Sequence, residues 1–435
     1  VRDIAAVKGG KRLPKGVGFS PCRTAHAYIR VTDMKNHCIN TDDLKYISEE
    51  VFLQIKNYTI SKDDLYVTIA GTIGVTGEVP TELDGMNLTE NAVKITNIQI
   101  NKNYLCLIIQ SEFVQQQFQD KTHQVAMPKL ALERILSTLI PVCTITTQSA
   151  MVSKFVEMDS LINQIREEKE ILAETVSLTK SKILDLAIRG KLVPQNPDDE
   201  PASVLLERIR AEKEELIKAG KIKRDKKESI IFKGDDNSYY EKVGAEIRCI
   251  DSEIPFEIPD GWMYERLGNI CSIARGGSPR PIENYLTDDE NGLNWIKIGD
   301  TEQGGKYIYS TKEKIRPEGL SKTRYVCSGD FLLTNSMSFG RPYILRTNGC
   351  IHDGWLVIGG IEIAFHQDYL YYMLSSSIMY NALSSLAVGS TVKNLKSDSV
   401  KSLLVPIPPL AEQACISRQI ENYFATMLPI ERSLS

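Results

Sequence analysis

The chain has 435 residues, of which 42% are hydrophobic and 25% charged, with a formal net charge of -4. Those are the proportions of a globular protein too long for one ordinary core, so two domains with connecting elements are expected. No run approaches about 18 uninterrupted apolar residues, which excludes an apolar membrane-spanning helix, and Val1-Arg2-Asp3 opens no basic-then-apolar leader, so no export signal is expected.

Taken in chain order, AYIRV (27–31), LYVTIAG (65–71) and AVKIT (92–96) are β-branched and aromatic segments between Gly and Asn turns, the pattern of a mixed sheet. One helix is predicted over about 103–118, followed by an extended segment ending at Pro141. Residues 148–190 then lack Gly and Pro until Gly190. Within them Ile162, Ile165, Leu172, Val176, Ile183 and Leu186 fall at alternating three- and four-residue steps, with Lys169 and Thr179 as polar interruptions, the seam of a coiled coil. Gly190 stands at the stop position and Pro194 just beyond it. The pattern then starts again. NWIKIG (294–299), DFLLTN (330–335) and WLVIGG (355–360) read as strands, 368–383 as one helix, and an extended segment ends at Pro406. Beyond it Ile416, Ile420, Tyr423 and Met427 mark an apolar helix face, predicted to pack against the long helix.

The restart is a duplication. DIAAVKGGKRLP (3–14) is echoed by NICSIARGGSPRP (269–281), HAYIRVTDMKN (26–36) by LNWIKIGDTEQ (293–303), and ISKDDLYVTIAGTIG (60–74) by VCSGDFLLTNSMSFG (326–340). NYLCLIIQSEFVQQQF (103–118) matches DYLYYMLSSSIMYNAL (368–383), and STLIPV (137–142) matches SLLVPI (402–407). Ordered matches at one offset of about 265 residues do not arise by chance. The fold class is therefore α+β: two homologous mixed α/β domains separated by long helices packed as an antiparallel coiled coil, with internal pseudo-twofold symmetry.

The residues offer no chemistry of their own. Nine scattered cysteines, never paired as CxxC, point to reduced thiols in a cytoplasmic protein, and five histidines in no HExxH arrangement leave no metal site. There is no phosphate-binding GxxxxGK[ST] and no [DNS]PP[YFW] motif; GTIGVTGEV (71–79) reads as strand turns. Residues 1–150 hold 16 basic and 15 acidic side chains and residues 261–435 hold 17 of each, so the acidity lies in the middle of the chain. Each end can carry a local basic patch.

The run KILDLAIRGKLVPQNPDDEPASVLLERIRAEKEELIKAGKIKRDKK (182–227) resembles the central conserved region of type I restriction-modification specificity (S, HsdS) subunits. FEIPDGWMYERLGNI (256–270) resembles their approach to the second recognition domain, and VPIPPLAEQACISRQIENY (405–423) their C-terminal conserved segment. The first copy departs from this pattern with PVCTITTQS in place of PIPPLAEQ, a degenerate helix start. The resemblance implies target-recognition domain 1 at 1–147, a central conserved helical spacer at 148–225, a linker and entry to the second repeat at 226–260, target-recognition domain 2 at 261–410, and a C-terminal conserved helix at 411–435, expected to be truncated. It implies a non-catalytic DNA-binding subunit in which each domain reads one half of a bipartite, gapped double-stranded target and the helices set the gap. The implied partners are two methyltransferase subunits, which carry S-adenosylmethionine, and a motor-nuclease subunit; this chain is expected to bind no cofactor, no metal and no membrane.

Base edges are read by Arg, Lys, Asn and Gln, with further basic and hydroxyl groups on phosphates. Three loops in each copy offer such groups. The first holds Lys8, Lys11, Arg12 and Lys15, echoed by Arg275, Ser278 and Arg280. The second holds Thr72, echoed by Asn335, Ser338 and Arg341. The third holds Lys129, echoed by Thr391, Lys393 and Asn394. The cluster Lys221, Lys223, Arg224, Lys226 and Lys227 reads as a solvated helix end.

Overall fold

The computed structural model describes all residues except 121–128, 223, 225–227, 303, 337–338, 388–393 and 435. It divides into two compact units, Val1–Glu167 and Glu168–Ser435.

In the first unit the strand Leu65–Thr68 lies inside a four-stranded antiparallel sheet ordered Ala6–Gly9, Ala92–Thr96, Leu65–Thr68, Thr76–Glu78. All four of its residues are buried, because successive side chains point to opposite faces and both faces are covered. Leu65 and Val67 pack under Leu105, Ile109, Val114 and Phe118 of the following helices, while Tyr66 joins Ile29, Ile60 and Leu88 of a second sheet. Full burial of each such apolar side chain is worth roughly 1.5–3 kcal/mol. The second sheet is mixed, ordered Lys45–Ile47, His26–Ile29, Met86–Leu88, Thr59–Ile60, with a parallel pair at Tyr28–Asn87.

The second unit repeats this arrangement. Its first sheet runs Ser272–Arg275, Trp355–Gly359, Phe331–Thr334, Pro342–Leu345, Tyr307–Ile308, and its second runs Leu286–Thr287, Glu313–Ile315, Leu293–Ile296, Gly349–Ile351, Arg324–Val326. The parallel pair returns at Trp295–Cys350. Phe331 and Leu333 face the helices and Leu332 the other sheet. The duplication read from the sequence is thus a duplication of topology.

Four features differ from the sequence reading. Each predicted single helix is two: Lys102–Gln110 and Glu112–Asp120, Gln367–Ser375 and Ser377–Leu386. Both breaks fall at a serine, Ser111 and Ser376, whose backbone turns extended. Ser376 Oγ donates to the Met373 carbonyl (2.7 Å) and accepts from Met379 N (3.3 Å), closing one helix and capping the next.

The linker is folded. Ser229–Lys233, Tyr239–Val243 and Glu246–Cys249 form an antiparallel sheet, preceded by a separate helix Ala202–Lys218. Its buried Glu241 accepts from Arg266 (2.9 Å) and from Arg248 (3.1 Å from Nε). Burial opposes the charge, but these guanidiniums hold the Glu241 carboxyl down at about 2.

The coiled-coil seam is only partly covered. Within the second unit Lys180 pairs with Glu431 (2.6 Å), whereas Gln195, further along, meets Glu412 (3.1 Å), so the long helix Ile145–Ile188 and the helix Leu410–Leu434 run antiparallel. Val176, Ile183, Ile416 and Ile420 are buried and Leu186 and Met427 half-buried, but Ile162, Ile165, Leu172 and Tyr423 are 45%, 58%, 41% and 40% exposed. For Ile162, Ile165 and Leu172 the physical reason is length: a helix of 25 residues beside one of 44, with its last turn already opposite Lys180, cannot reach the N-terminal half of the seam; nothing in the structure explains the exposure of Tyr423.

The first helix start is not degenerate. Gln148 donates to the Cys143 carbonyl (2.7 Å) and accepts from Asn101 N (2.9 Å); Gln413, 265 positions later, donates to the Pro408 carbonyl (3.1 Å) and accepts from His366 N (2.8 Å). Both amides are buried, and a buried backbone group left unpaired costs about 1–3 kcal/mol. Gln413→Ala is therefore expected to destabilise the second unit by about 2 kcal/mol, and Gln148→Ala the first by a similar amount, read by chemical denaturation. An unchanged midpoint would contradict this role.

Candidate nucleic-acid interface

In the first domain the strand Ala6–Gly9 ends where Gly10 N donates to the Ala92 carbonyl (3.1 Å) and Lys11 N to the Leu88 carbonyl (2.9 Å). Gly10 approaches so closely that an added Cβ would lie 2.0 Å from the Thr89 carbonyl oxygen. In the second domain Gly276 N donates to the Trp355 carbonyl and Gly277 N to the Ile351 carbonyl, and a Cβ on Gly276 would lie 2.3 Å from the His352 oxygen. Gly10 therefore corresponds to Gly276, one position away from the Gly9-Gly10 to Gly276-Gly277 pairing that the sequence suggests. Sheet register decides this, since strand partners count residues that a loop can slip.

The three loops named in each copy converge. Ile69 N donates to the Asn91 carbonyl (2.8 Å) and Leu130 N to the Ile69 carbonyl (2.9 Å); likewise Asn335 N donates to the Gly354 carbonyl (2.9 Å) and Leu395 N to the Asn335 carbonyl (2.9 Å). At the centre of each group stands an acid that sequence reasoning missed. Glu90 accepts from Arg12 Nε (2.6 Å), and its backbone carbonyl accepts from Lys129 Nζ (3.3 Å). Asp353 accepts from the Ser278 hydroxyl (2.7 Å) and pairs with Arg280 (3.4 Å), and its carbonyl accepts from Arg275 Nε (2.8 Å) and Asn335 Nδ2 (2.8 Å). Burial alone would raise both carboxyls. Arg12 and Thr89 hold Glu90 low, and Ser278, His352, Arg280 and Arg275 hold Asp353 low. The Tyr28 hydroxyl, donating to the Lys11 carbonyl (2.7 Å), is pushed up to about 12 chiefly by burial.

Lys8, Lys11, Arg12, Lys15, Thr72, Lys129, Arg275, Arg280 and Arg341 are exposed, and Ser278 and Asn394 half-buried. Asn335 is fully buried beneath the 352–354 loop, its Nδ2 donating to the Asp353 carbonyl, so in this structure it braces the rim from beneath. Ser338, Thr391 and Lys393 lie outside the described residues, as do Lys223, Lys226 and Lys227. Arg224 pairs with Glu214 (2.6 Å). The fold also adds residues the sequence did not nominate. Arg324 Nε donates to the Arg275 carbonyl (3.3 Å), and Lys322 Nζ to the Tyr285 hydroxyl (2.6 Å) beside Gly277. Among the described residues no group of His, Cys, Asp or Glu could hold a metal ion, and no helix is long and apolar enough to cross a membrane.

Two copies of one domain, each gathering basic loops at one rim, have a counterpart among known sequences. The family described as type I restriction modification DNA specificity domain matches residues 1–174 and again 259–434. The chain belongs to this family. It is similar to the type I restriction enzyme EcoEI specificity subunit of Escherichia coli, 31% identical over 250 residues, covering 54% of this chain and 36% of that protein. It is similar also to the EcoAI specificity subunit of the same organism, 35% identical over 158 residues, covering 36% of this chain and 23% of that one. The chain thus spans about a third or less of the length of these two curated relatives. The fold is shared with the HsdS subunit crystal structure from Thermoanaerobacter tengcongensis (TM-score 0.52, 16% identity, 100% of this chain and 91% of that one). A chain from a structural study of complex assembly and conformational transition in the type I R-M system gives a TM-score of 0.59 at 15% identity, with the same coverage of both chains.

Proposed function

We propose that this type I specificity chain is the DNA-reading subunit of a cytoplasmic restriction-modification complex and performs no chemistry itself. Each domain reads one half of a bipartite, gapped double-stranded target through its rim of basic loops, and the helical segment sets the gap. Two methyltransferase subunits bring S-adenosylmethionine and modify an adenine in each half; a motor-nuclease subunit joins for restriction. The observation that carries this reading is the repetition of one rim in both domains: a glycine-tight turn against an acid-centred loop, ringed by exposed Lys and Arg.

The test is to map methylated adenines in a host with and without this gene beside its modification subunit. One bipartite motif is expected to vanish with the gene, and the purified chain alone is expected to transfer no methyl group; transfer by the isolated chain would overturn the reading. Lys8 and Lys15 are exposed cations with no base-reading fork, and this reading assigns them to phosphates. Alanine at either is expected to lower the salt slope of binding by about one while leaving the motif unchanged. Salt titrations on the mapped target would show it, and an unaltered slope would place these lysines off the DNA.

A further inference from the structure

We infer that Arg12 and Arg275 are the specificity-determining residues of the two rims, each reading a guanine edge, and that the 89–91 and 352–354 loops aim them. This rests on the functional reading above and goes beyond it to named residues and a base.

The two arginines come from different places in the repeat. Arg275 is the last residue of its strand, opposite Leu356, and Arg12 lies two residues past Gly10 in the loop. They nevertheless end at the same node. Arg12 donates through Nε to the Glu90 carboxylate (2.6 Å), and Arg275 donates through Nε to the Asp353 backbone carbonyl (2.8 Å). Among the described residues neither terminal Nη pair has a partner. An arginine has five N–H donors in a rigid fork. Anchoring it by Nε fixes the direction of the fork and leaves the two outer donors aimed outward, the geometry that matches the O6 and N7 acceptors of guanine in the major groove.

An acid at a DNA-facing rim repels phosphates, so Glu90 and Asp353 need an offsetting gain. Asp353 ties three loops together through Ser278, Arg280, Arg275 and Asn335. Glu90 does the same through Arg12, Lys129 and the Tyr28 hydroxyl (3.3 Å). Arg12 is 79% exposed at its side chain and Glu90 only 24%, so the half-buried carboxylate is the fixed member and the arginine the one being held. Arg280 is 77% exposed, and its single contact with Asp353 is long (3.4 Å), so it is not held in this way. Glu90 and Asp353 are positioning residues; the contact with the base falls to the arginines.

The experiment compares the methylated motif, read genome-wide, of the full complex carrying wild-type chain, Arg12→Lys, Arg275→Lys or Glu90→Gln. Lysine keeps the charge and loses the fork. Each wild-type half-site is expected to contain a guanine-cytosine pair at which Arg12→Lys relaxes the first half only and Arg275→Lys the second half only, with discrimination falling about tenfold or more. Glu90→Gln is expected to relax the same position as Arg12→Lys, with thermal stability unchanged. A wild type that marks a bipartite motif which both lysine variants mark with equal fidelity overturns this inference alone, as does a half-site without a guanine-cytosine pair. A wild type that marks no bipartite motif overturns the functional reading and this inference with it.

Discussion

Trp262→Ala is expected to cost about 3–5 kcal/mol, the largest single-residue loss of stability argued for this chain. Trp262 is 4% exposed, and its indole Nε1 donates to the Glu412 carboxylate (2.8 Å), which also accepts from Gln195 (3.1 Å). One side chain thereby joins the segment after the long helix, the approach to the second domain and the start of the last helix. The close fit extends to Gly190, at φ 65°, where an added Cβ would lie 2.3 Å from Pro259 Cγ and 3.1 Å from the Trp262 ring. Alanine leaves a cavity and strips a buried carboxylate of a donor. Trp262→Phe separates the two effects, keeping most of the ring and losing only the N–H. Burial raises the Glu412 carboxyl above its usual 4.5, and the indole N–H acts against that shift. The Phe deficit should accordingly shrink as pH is lowered through the carboxyl's titration range, where the unsupported group takes up a proton, and grow as pH rises through it and the group must stay charged. Denaturation followed by circular dichroism checks both variants; a Phe variant as stable as wild type across that range would show the hydrogen bond to be without weight.

Exchanging the second domain for that of another specificity subunit is expected to replace one half of the recognised target completely and leave the other half unchanged. The structure fixes where to cut. Met263–Arg266 pairs antiparallel with Leu404–Ile407, Met263 opposite Ile407 and Arg266 opposite Leu404. A graft ending at residue 405 would split that ladder between two parent sequences, whereas residues 261–408 carry both strands intact. Methylation mapping of the 261–408 graft should return the wild-type first half joined to the donor's second half. A change in both halves would mean that the domains do not read independently, and a change in neither that the rims do not read DNA.

The sequence by itself determined the duplication, the class of each repeat and the family. These are written in short-range patterns: short continuous apolar and aromatic runs such as LYVT and FLLT, turn glycines between them, and a fixed offset along the chain. Gly190 was legible as a helix stop because a positive φ is a local demand that glycine meets cheaply. What only the tertiary structure decided depends on residues far apart in the chain. The helix breaks at Ser111 and Ser376 sit inside runs that look continuously helical, and the matching role of Gln148 and Gln413 is invisible in PVCTITTQS beside PIPPLAEQ. Ile162, Ile165 and Leu172 keep perfect seam spacing yet lie beyond the reach of the shorter helix, since spacing specifies a face and not what covers it. Glu90 and Asp353 escaped notice for the same reason. An acid amid basic loops looks like noise in a one-dimensional charge count, and becomes the organising group only when the sheet register brings residues 12, 28, 90 and 129, or 275, 278, 335 and 353, to one point.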